Sequence, residues 1–230
     1  MDTIFDRTEK LLGKDAMELL KRKRVLVFGL GGVGGHLVEA LARAGIGNLG
    51  IVDSDTVDIT NINRQIIALH SNLGQPKVKV MEERIADINP KAFVRAFYHR
   101  LSSDTLELFN LEDWDYIADA IDDVAAKTLL IGRANSLGKP IISAMGAGNK
   151  MDPGCFKIAD LEKTHTCPLA RIMRKEIRKL GIKGVKTVFS TEEPKKILNG
   201  QGSASISFVP SVAGLLMAGE IVNDLLCHMK

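Results

Sequence analysis

Residues Gly29–Gly34 read GLGGVG, directly after the apolar run VLVF (Val25–Phe28). The spacing of Gly29, Gly31 and Gly34 satisfies G-x-G-x-x-G. That pattern supplies a tight turn, a backbone that approaches phosphate closely, and close packing of the next helix. The helix beginning near Gly32 would offer free N–H groups and a partial positive charge to an anion. The turn suits a dinucleotide and ATP equally, so residues later in the chain must decide.

Outward from the turn, strand and helix patterns alternate. A helical pattern over 6–20 leads through the basic run KRKR (Lys21–Arg24) to the VLVF strand. Residues 32–44 place Val33, Leu37, Leu41 and Ala44 on one helical face, and 76–88 do the same with Val78, Met81, Ile85 and Ile88. LGIV (Leu49–Val52), FVRAF (Phe93–Phe97), YIADA (Tyr116–Ala120) and PIISA (Pro140–Ala144) read as strands, with a helix over 123–137. Further on, CFKIAD and TVFST read as strands, and 168–180 and 209–226 as helices. The alternation predicts an α/β fold, a Rossmann-like, mostly parallel sheet with helices on both faces and a less regular C-terminal third completing the same domain. The expected organisation is one domain over 1–230: a helical arm (1–24), a nucleotide-binding core (25–150) and a C-terminal substrate and dimer region (151–230).

Composition narrows the class. With 230 residues, 45% of them apolar, the chain can bury a full core, and its net charge of +3 gives no overall field for nucleic acid. Cys155, Cys167 and Cys227 form no C-x-x-C pair, which excludes a four-thiolate zinc site within one chain and fits reduced thiols. The opening MDTIFDRTEK has no apolar signal core. ISFVPSVAGLLMAG (Ile206–Gly219) contains Pro210 and is followed by Glu220 and Asp224, so it reads as a buried helix too short and interrupted to span a bilayer. A soluble, cytoplasmic protein without a transmembrane segment is expected.

The choice of nucleotide turns on the residues beyond the second strand. Asp53 stands at its end, where a carboxylate can accept from ribose hydroxyls, and with the glycines alone it would favour a nicotinamide enzyme. Arg64 and Lys77 then fall on a loop and a helix start just past the turn. Two cations there would neutralise a triphosphate and its leaving pyrophosphate, which a nicotinamide cofactor does not require. AIDD (Ala120–Asp123) puts carboxylates at a strand end, where one could help hold Mg²⁺ beside the phosphates. Each residue alone has a plainer reading: a solvated cation for Arg64 or Lys77, a turn for Asp53, a helix cap for Asp122 or Asp123. Their joint order with the glycine turn favours ATP.

GLGGVG, Asp53, the loop NINRQ (Asn61–Gln65), GQPK (Gly74–Lys77) and AIDD together resemble the ubiquitin-activating-enzyme-like superfamily of adenylating enzymes, over about Arg7 to Ala144 and more loosely to the end. The resemblance implies that Gly29, Gly31, Gly32 and Gly34 line the α-phosphate region and that Asp53 binds ribose, with Asp55 beside it. It implies that Asn61, Arg64 and Lys77 contact phosphates and that Asp122 sits by Mg²⁺ and the reacting α-phosphate. Arg7 resembles the arginine that family dimers donate to the partner's ATP site, which implies a homodimer with composite sites. A monovalent cation (K⁺ or Na⁺) steadying a loop, and a sulfur-transfer accessory protein, are also compatible with the family.

Within the superfamily the segments RQIIALHSNLGQPKVKVMEERIADINP, TCPLARIMRKEIRK and VFSTEEP are similar to the tRNA threonylcarbamoyladenosine dehydratase branch. That resemblance implies tRNA carrying N6-threonylcarbamoyladenosine at position 37 as substrate. ATP would adenylate the threonyl carboxylate, and an atom of the same side chain would attack, closing a ring with net loss of water. A tethered attacker needs no protein nucleophile, consistent with the missing zinc pairs and with Cys167 as an apolar filler rather than a catalyst. Residues 171–186, RIMRKEIRKLGIKGVK, hold seven Lys and Arg against one Glu. Leu169, Ile172, Met173, Ile177 and Leu180 are expected to face the core, leaving Arg171, Arg174, Lys175, Arg178 and Lys179 for the tRNA backbone. Alternatives are an activator of a small carrier protein with a C-terminal diglycine, a nicotinamide-dependent oxidoreductase, and a non-enzymatic ATP-binding module.

Overall fold

The computed structural model describes residues 4–197 and 203–227. In chain order they form helices α1 (Asp6–Leu12) and α2 (Lys14–Arg22), strand β1 (Arg24–Phe28), α3 (Gly34–Ala44), β2 (Asn48–Val52), α4 (Lys77–Ile88), β3 (Phe93–Phe97), β4 (Tyr116–Asp119), α5 (Val124–Ser136), β5 (Ile141–Ala144), β6 (Phe156–Asp160), α6 (Pro168–Lys179), β7 (Lys186–Ser190) and α7 (Phe208–Leu226). Short 3₁₀ turns join them, among them Ile59–Asn61.

The seven strands make one sheet in the order β3-β2-β1-β4-β5-β7-β6. Every pairing is parallel except β6 against β7. Strand side chains alternate between faces, so β1 sends Val25 and Val27 into one core and Leu26 and Phe28 into the other. The first core is closed by Met17 and Leu20 of α2, Leu37 and Leu41 of α3, Met81 of α4, and Val209, Met217 and Ile221 of α7. The second is closed by Phe109, Trp114, and Ala126 and Leu130 of α5. A third cluster seats Met173 and Ile177 of α6 against Met145 and Phe189. Burial on both faces is why the central strands β1, β2, β4 and β5 read as near-continuous apolar runs.

Chain order reverses between β1 and β4: β2 and β3 extend one way, β4 and β5 the other. A crevice opens at the carboxyl ends of the two central strands, the usual ligand position in open α/β sheets. The turn after β1 and the AIDD turn after β4 both reach it.

Three sequence expectations change. The helix expected over 6–20 is two helices, broken at Gly13, whose φ of 89° is not helical. The helix after the glycine turn starts at Gly34 rather than near Gly32, because Gly31–Val33 are spent on the turn. Pro210 does not interrupt α7, which runs 19 residues and is long and apolar enough to cross a membrane by composition. Proline is tolerated in a first helical turn, where its missing N–H costs no internal bond. The helix's fate is decided by packing: Val209, Ala213, Met217 and Ile221 are buried in the main core, as a central helix of a folded domain requires.

Candidate nucleotide site

The crevice is a cavity of about 780 Å³. Its floor begins with the glycine turn. Gly29 has φ of 89°, and a Cβ there would meet the Ala120 carbonyl oxygen at 2.8 Å. A Cβ at Gly34 would lie 1.7 Å from the Gly29 carbonyl oxygen, so only hydrogen lets α3 begin so close to the turn. Gly29, Gly31 and Gly32 line the cavity, whereas Gly34 is buried beneath the turn and packs rather than contacts. Among the described residues, no protein acceptor meets the backbone N–H of Gly31, Gly32 or Val33. Three adjacent donors ahead of a helix are what a phosphate needs.

Asp53 anchors the turn as well as facing the cavity. One carboxylate oxygen accepts from Leu30 N–H at 2.6 Å and the other from Asp55 N–H at 2.8 Å. Burial raises its carboxyl above the ordinary aspartate range, and the nearby Lys77 and the two N–H donors offset part of that rise. Lone pairs remain for ribose hydroxyls. Asp55 also lines the cavity, and its main role here is to hold Lys77: carboxylate to ammonium is 2.8 Å, and Lys77 N–H donates to the Asp55 carbonyl at 3.0 Å. Lys77, the first residue of α4, is only 4% exposed, so its charge is delivered to the cavity from a fixed position.

Asp58 and Asn61 close a reciprocal capping box around the 3₁₀ turn at Ile59–Asn61. Asn61 Oδ1 is occupied by Asp58 N–H at 3.2 Å, and the side chain still lines the cavity. Arg64 is half-buried; its guanidinium donates to Thr60 O at 2.8 Å and Asn63 Oδ1 at 2.9 Å, and lines the same wall.

The structure adds Gln65, to which sequence reasoning attached no role. It is 6% exposed, lines the cavity, and its Oε1 is a buried oxygen without a hydrogen-bond partner among the described residues. A buried orphan amide is costly unless a ligand completes it. Its position next to Arg64 in NINRQ was the available signal. His99 and Arg100, after the edge strand β3, also line the cavity, a placement that no local pattern signals.

The two carboxylates of AIDD separate into distinct roles. Asp123 is the N-cap of α5, accepting from Ala126 N–H at 2.8 Å, with the Arg100 guanidinium 3.5 Å away. Asp122 is exposed, lines the cavity, and has no side-chain partner among the described residues. No group of three or more His, Cys, Asp and Glu side chains converges among the described residues. A Mg²⁺ would therefore take one protein carboxylate, Asp122, and complete its shell with phosphate oxygens and water, as this ion commonly does.

The remaining wall is Ala144–Gly148, Leu169 of α6, and Ser203 and Ser205. Asn149 carries the latter segment, accepting from Ala204 N–H at 2.7 Å and donating its own N–H to Ala204 O at 2.7 Å, while Asn63 donates to Ser205 O at 3.1 Å. Cys167 is 2% exposed in the third core cluster, packed as a small apolar group rather than presented to the cavity.

Helix α6 corrects the expected split of faces. Ala170, Met173 and Ile177 are buried and Leu169 half-buried, but Ile172 and Leu180 are exposed. Its cations are also not equally free. Arg174 donates to Thr164 O at 2.8 Å, Arg178 pairs with Glu162 at 2.6 Å, and Lys179 pairs with Glu176 at 2.7 Å. Arg171 and Lys175 have no such partner among the described residues and are exposed. Arg7 is exposed on α1 and does not line its own chain's cavity.

The ThiF family model matches residues 5–229. The tRNA threonylcarbamoyladenosine dehydratase of Bacillus subtilis (strain 168) is 46% identical over 96% of this chain and 94% of its own length. That of Escherichia coli (strain K12) is 38% identical over 82% of this chain and 73% of its own. The solved structure of E. coli tRNA N6-threonylcarbamoyladenosine dehydratase in complex with ATP superposes with a TM-score of 0.93 at 34% identity, covering 98% of this chain and 94% of that one. A cavity furnished for a nucleotide, a fold shared with an ATP-bound relative and a family model spanning nearly the whole sequence lead to one conclusion: the chain belongs to the ThiF family.

Proposed function

We propose that this chain is an ATP-dependent tRNA threonylcarbamoyladenosine dehydratase. The observation that carries the reading is one cavity holding the glycine turn, Arg64, Lys77 and Asp122 together. The threonyl carboxylate of the modified adenosine attacks the α-phosphorus of ATP, forming the acyl adenylate and releasing pyrophosphate. A nucleophilic atom of the same threonylcarbamoyl side chain then attacks the activated carbonyl, closing a ring and releasing AMP, so the nucleoside loses one water.

The residues divide this work. The N–H groups of Gly31 and Gly32 hold phosphate oxygens and Asp53 holds the ribose. Arg64, Lys77 and Asn61 take the charge that builds on the departing pyrophosphate, where fixed cations are most effective. Asp122 would hold a Mg²⁺, which would supply further charge neutralisation. The second step needs only proximity, which the tethered attacker provides. Arg171 and Lys175 are the α6 cations available to the tRNA backbone. Arg7 supports a homodimer in which each α1 reaches the partner's site.

Purified protein with ATP, Mg²⁺ and tRNA bearing the linear nucleoside tests this by nucleoside mass spectrometry. Conversion to the cyclic form with one AMP per nucleoside is expected. An unchanged nucleoside mass, or pyrophosphate exchange that depends on a diglycine carrier protein instead, overturns it.

A further inference from the structure

Beneath the cavity floor lies an ion pair that the adenylation chemistry leaves unused. Lys127 of α5 and Asp119 at the end of β4 are both fully buried, with ammonium and carboxylate 2.9 Å apart. A buried pair is a weak stabiliser, because apolar residues of similar size often do as well or better. Its attachments point elsewhere. The Lys127 ammonium donates to Ile121 O at 3.1 Å and to Ala144 O at 2.7 Å, so with Asp119 all three of its donors are met. Asp119 in turn accepts from Ile121 N–H at 3.1 Å and from the Ser143 hydroxyl at 2.6 Å.

These bonds converge on two residues that border the cavity. Both backbone polar groups of Ile121 are held by the pair, and Ile121 directly precedes Asp122, whose own side chain has no partner among the described residues to aim it. Ala144 ends β5 and directly precedes the Met145–Gly148 wall. One ammonium therefore ties together the strand ends from which the reactive carboxylate and the facing wall depart.

We propose that Lys127, with Asp119 and Ser143, is a positioning group for the adenylation step, holding Asp122 and the Ala144–Gly148 wall at the separation the α-phosphate requires. The inference rests on the proposed ATP site. Lys127 touches no reactant; it acts through Ile121 and Ala144.

The test is the double variant Asp119→Asn with Lys127→Met, which removes both charges so that neither is left buried alone. A folded double variant, by circular dichroism and cooperative melting, is expected to bind ATP within about threefold of the parent. Its kcat for AMP formation on the modified tRNA should fall on the order of 100-fold, the effect of misplacing a reacting group by about 1 Å. A purely structural pair would move the melting temperature and leave kcat of the folded enzyme within about threefold, which overturns the proposal. Ser143→Ala removes one hydrogen bond to Asp119 and keeps the test decisive if the double variant does not fold. It should lower kcat with KM for ATP unchanged, and an unaltered kcat again overturns the proposal. If the parent itself makes no AMP, the ATP-site reading fails first, and the two failures are told apart.

Discussion

Arg64→Ala separates function from stability most cleanly. In the folded chain Arg64 is half-buried and its guanidinium donates to Thr60 O and Asn63 Oδ1, both on exposed residues. Removing it lets water replace the donor at both acceptors, so unfolding free energy should change by only about 0.5–1 kcal/mol. On the proposed reading the same charge faces negative charge developing on the phosphates in a partly enclosed cavity, where losing one such donor costs about 2–4 kcal/mol. That corresponds to roughly 30- to 1,000-fold in rate. Because the charge develops on the leaving pyrophosphate, the loss should appear mainly in kcat, with KM for ATP changing less. Urea unfolding beside steady-state AMP formation on modified tRNA measures both numbers. Turnover within about threefold of the parent would refute the placement of the triphosphate along Asn61–Lys77, whatever the stability showed.

Asp122→Asn should abolish most AMP formation at unchanged melting temperature, whereas Asp123→Asn, which preserves the helix cap, should stay active; the opposite ranking would reassign the reactive carboxylate. Asp53 sits above the ordinary carboxylate range through burial. If its ionised form accepts ribose hydroxyls as proposed, ATP affinity should be full above that raised pKa and decline as pH falls through it, and Asp53→Asn should flatten this limb in a calorimetric pH series. Asp119→Ala leaves the Lys127 charge buried alone and should destabilise the fold by about 3–5 kcal/mol in chemical unfolding. Arg171→Glu and Lys175→Glu should raise KM for tRNA and shallow its salt dependence, while Arg174→Ala should act chiefly on stability by freeing Thr164, read by melting temperature against tRNA binding.

Much of the core architecture was legible because the signals were local. VLVF and LGIV are continuous apolar runs, as strands buried on both faces must be, and the helical faces of 32–44 and 76–88 repeat every three to four residues. Arg64, Lys77 and Asp53 could be nominated because their order along the chain, relative to the glycine turn, carries chemical sense, and the structure brings them to one cavity. Gln65 was passed over because an amide is chemically mute until burial leaves its oxygen without a partner. Ile172 and Leu180 were misplaced because helical periodicity describes a stripe but not which neighbours cover it.

By itself, then, the amino-acid order determined which segments become strands and helices, that a tight glycine turn follows the first strand, and that cations and a carboxylate come after it in the chain. Those properties depend on residues near one another in the chain. Tertiary structure alone decided that Asp123 caps a helix while Asp122 faces the cavity, that Arg174 and Arg178 are tied to Thr164 and Glu162, and that Lys127 binds two strand ends from below. These are choices among chemically equivalent side chains. Each is settled by whichever partner the packed elements bring within hydrogen-bond reach.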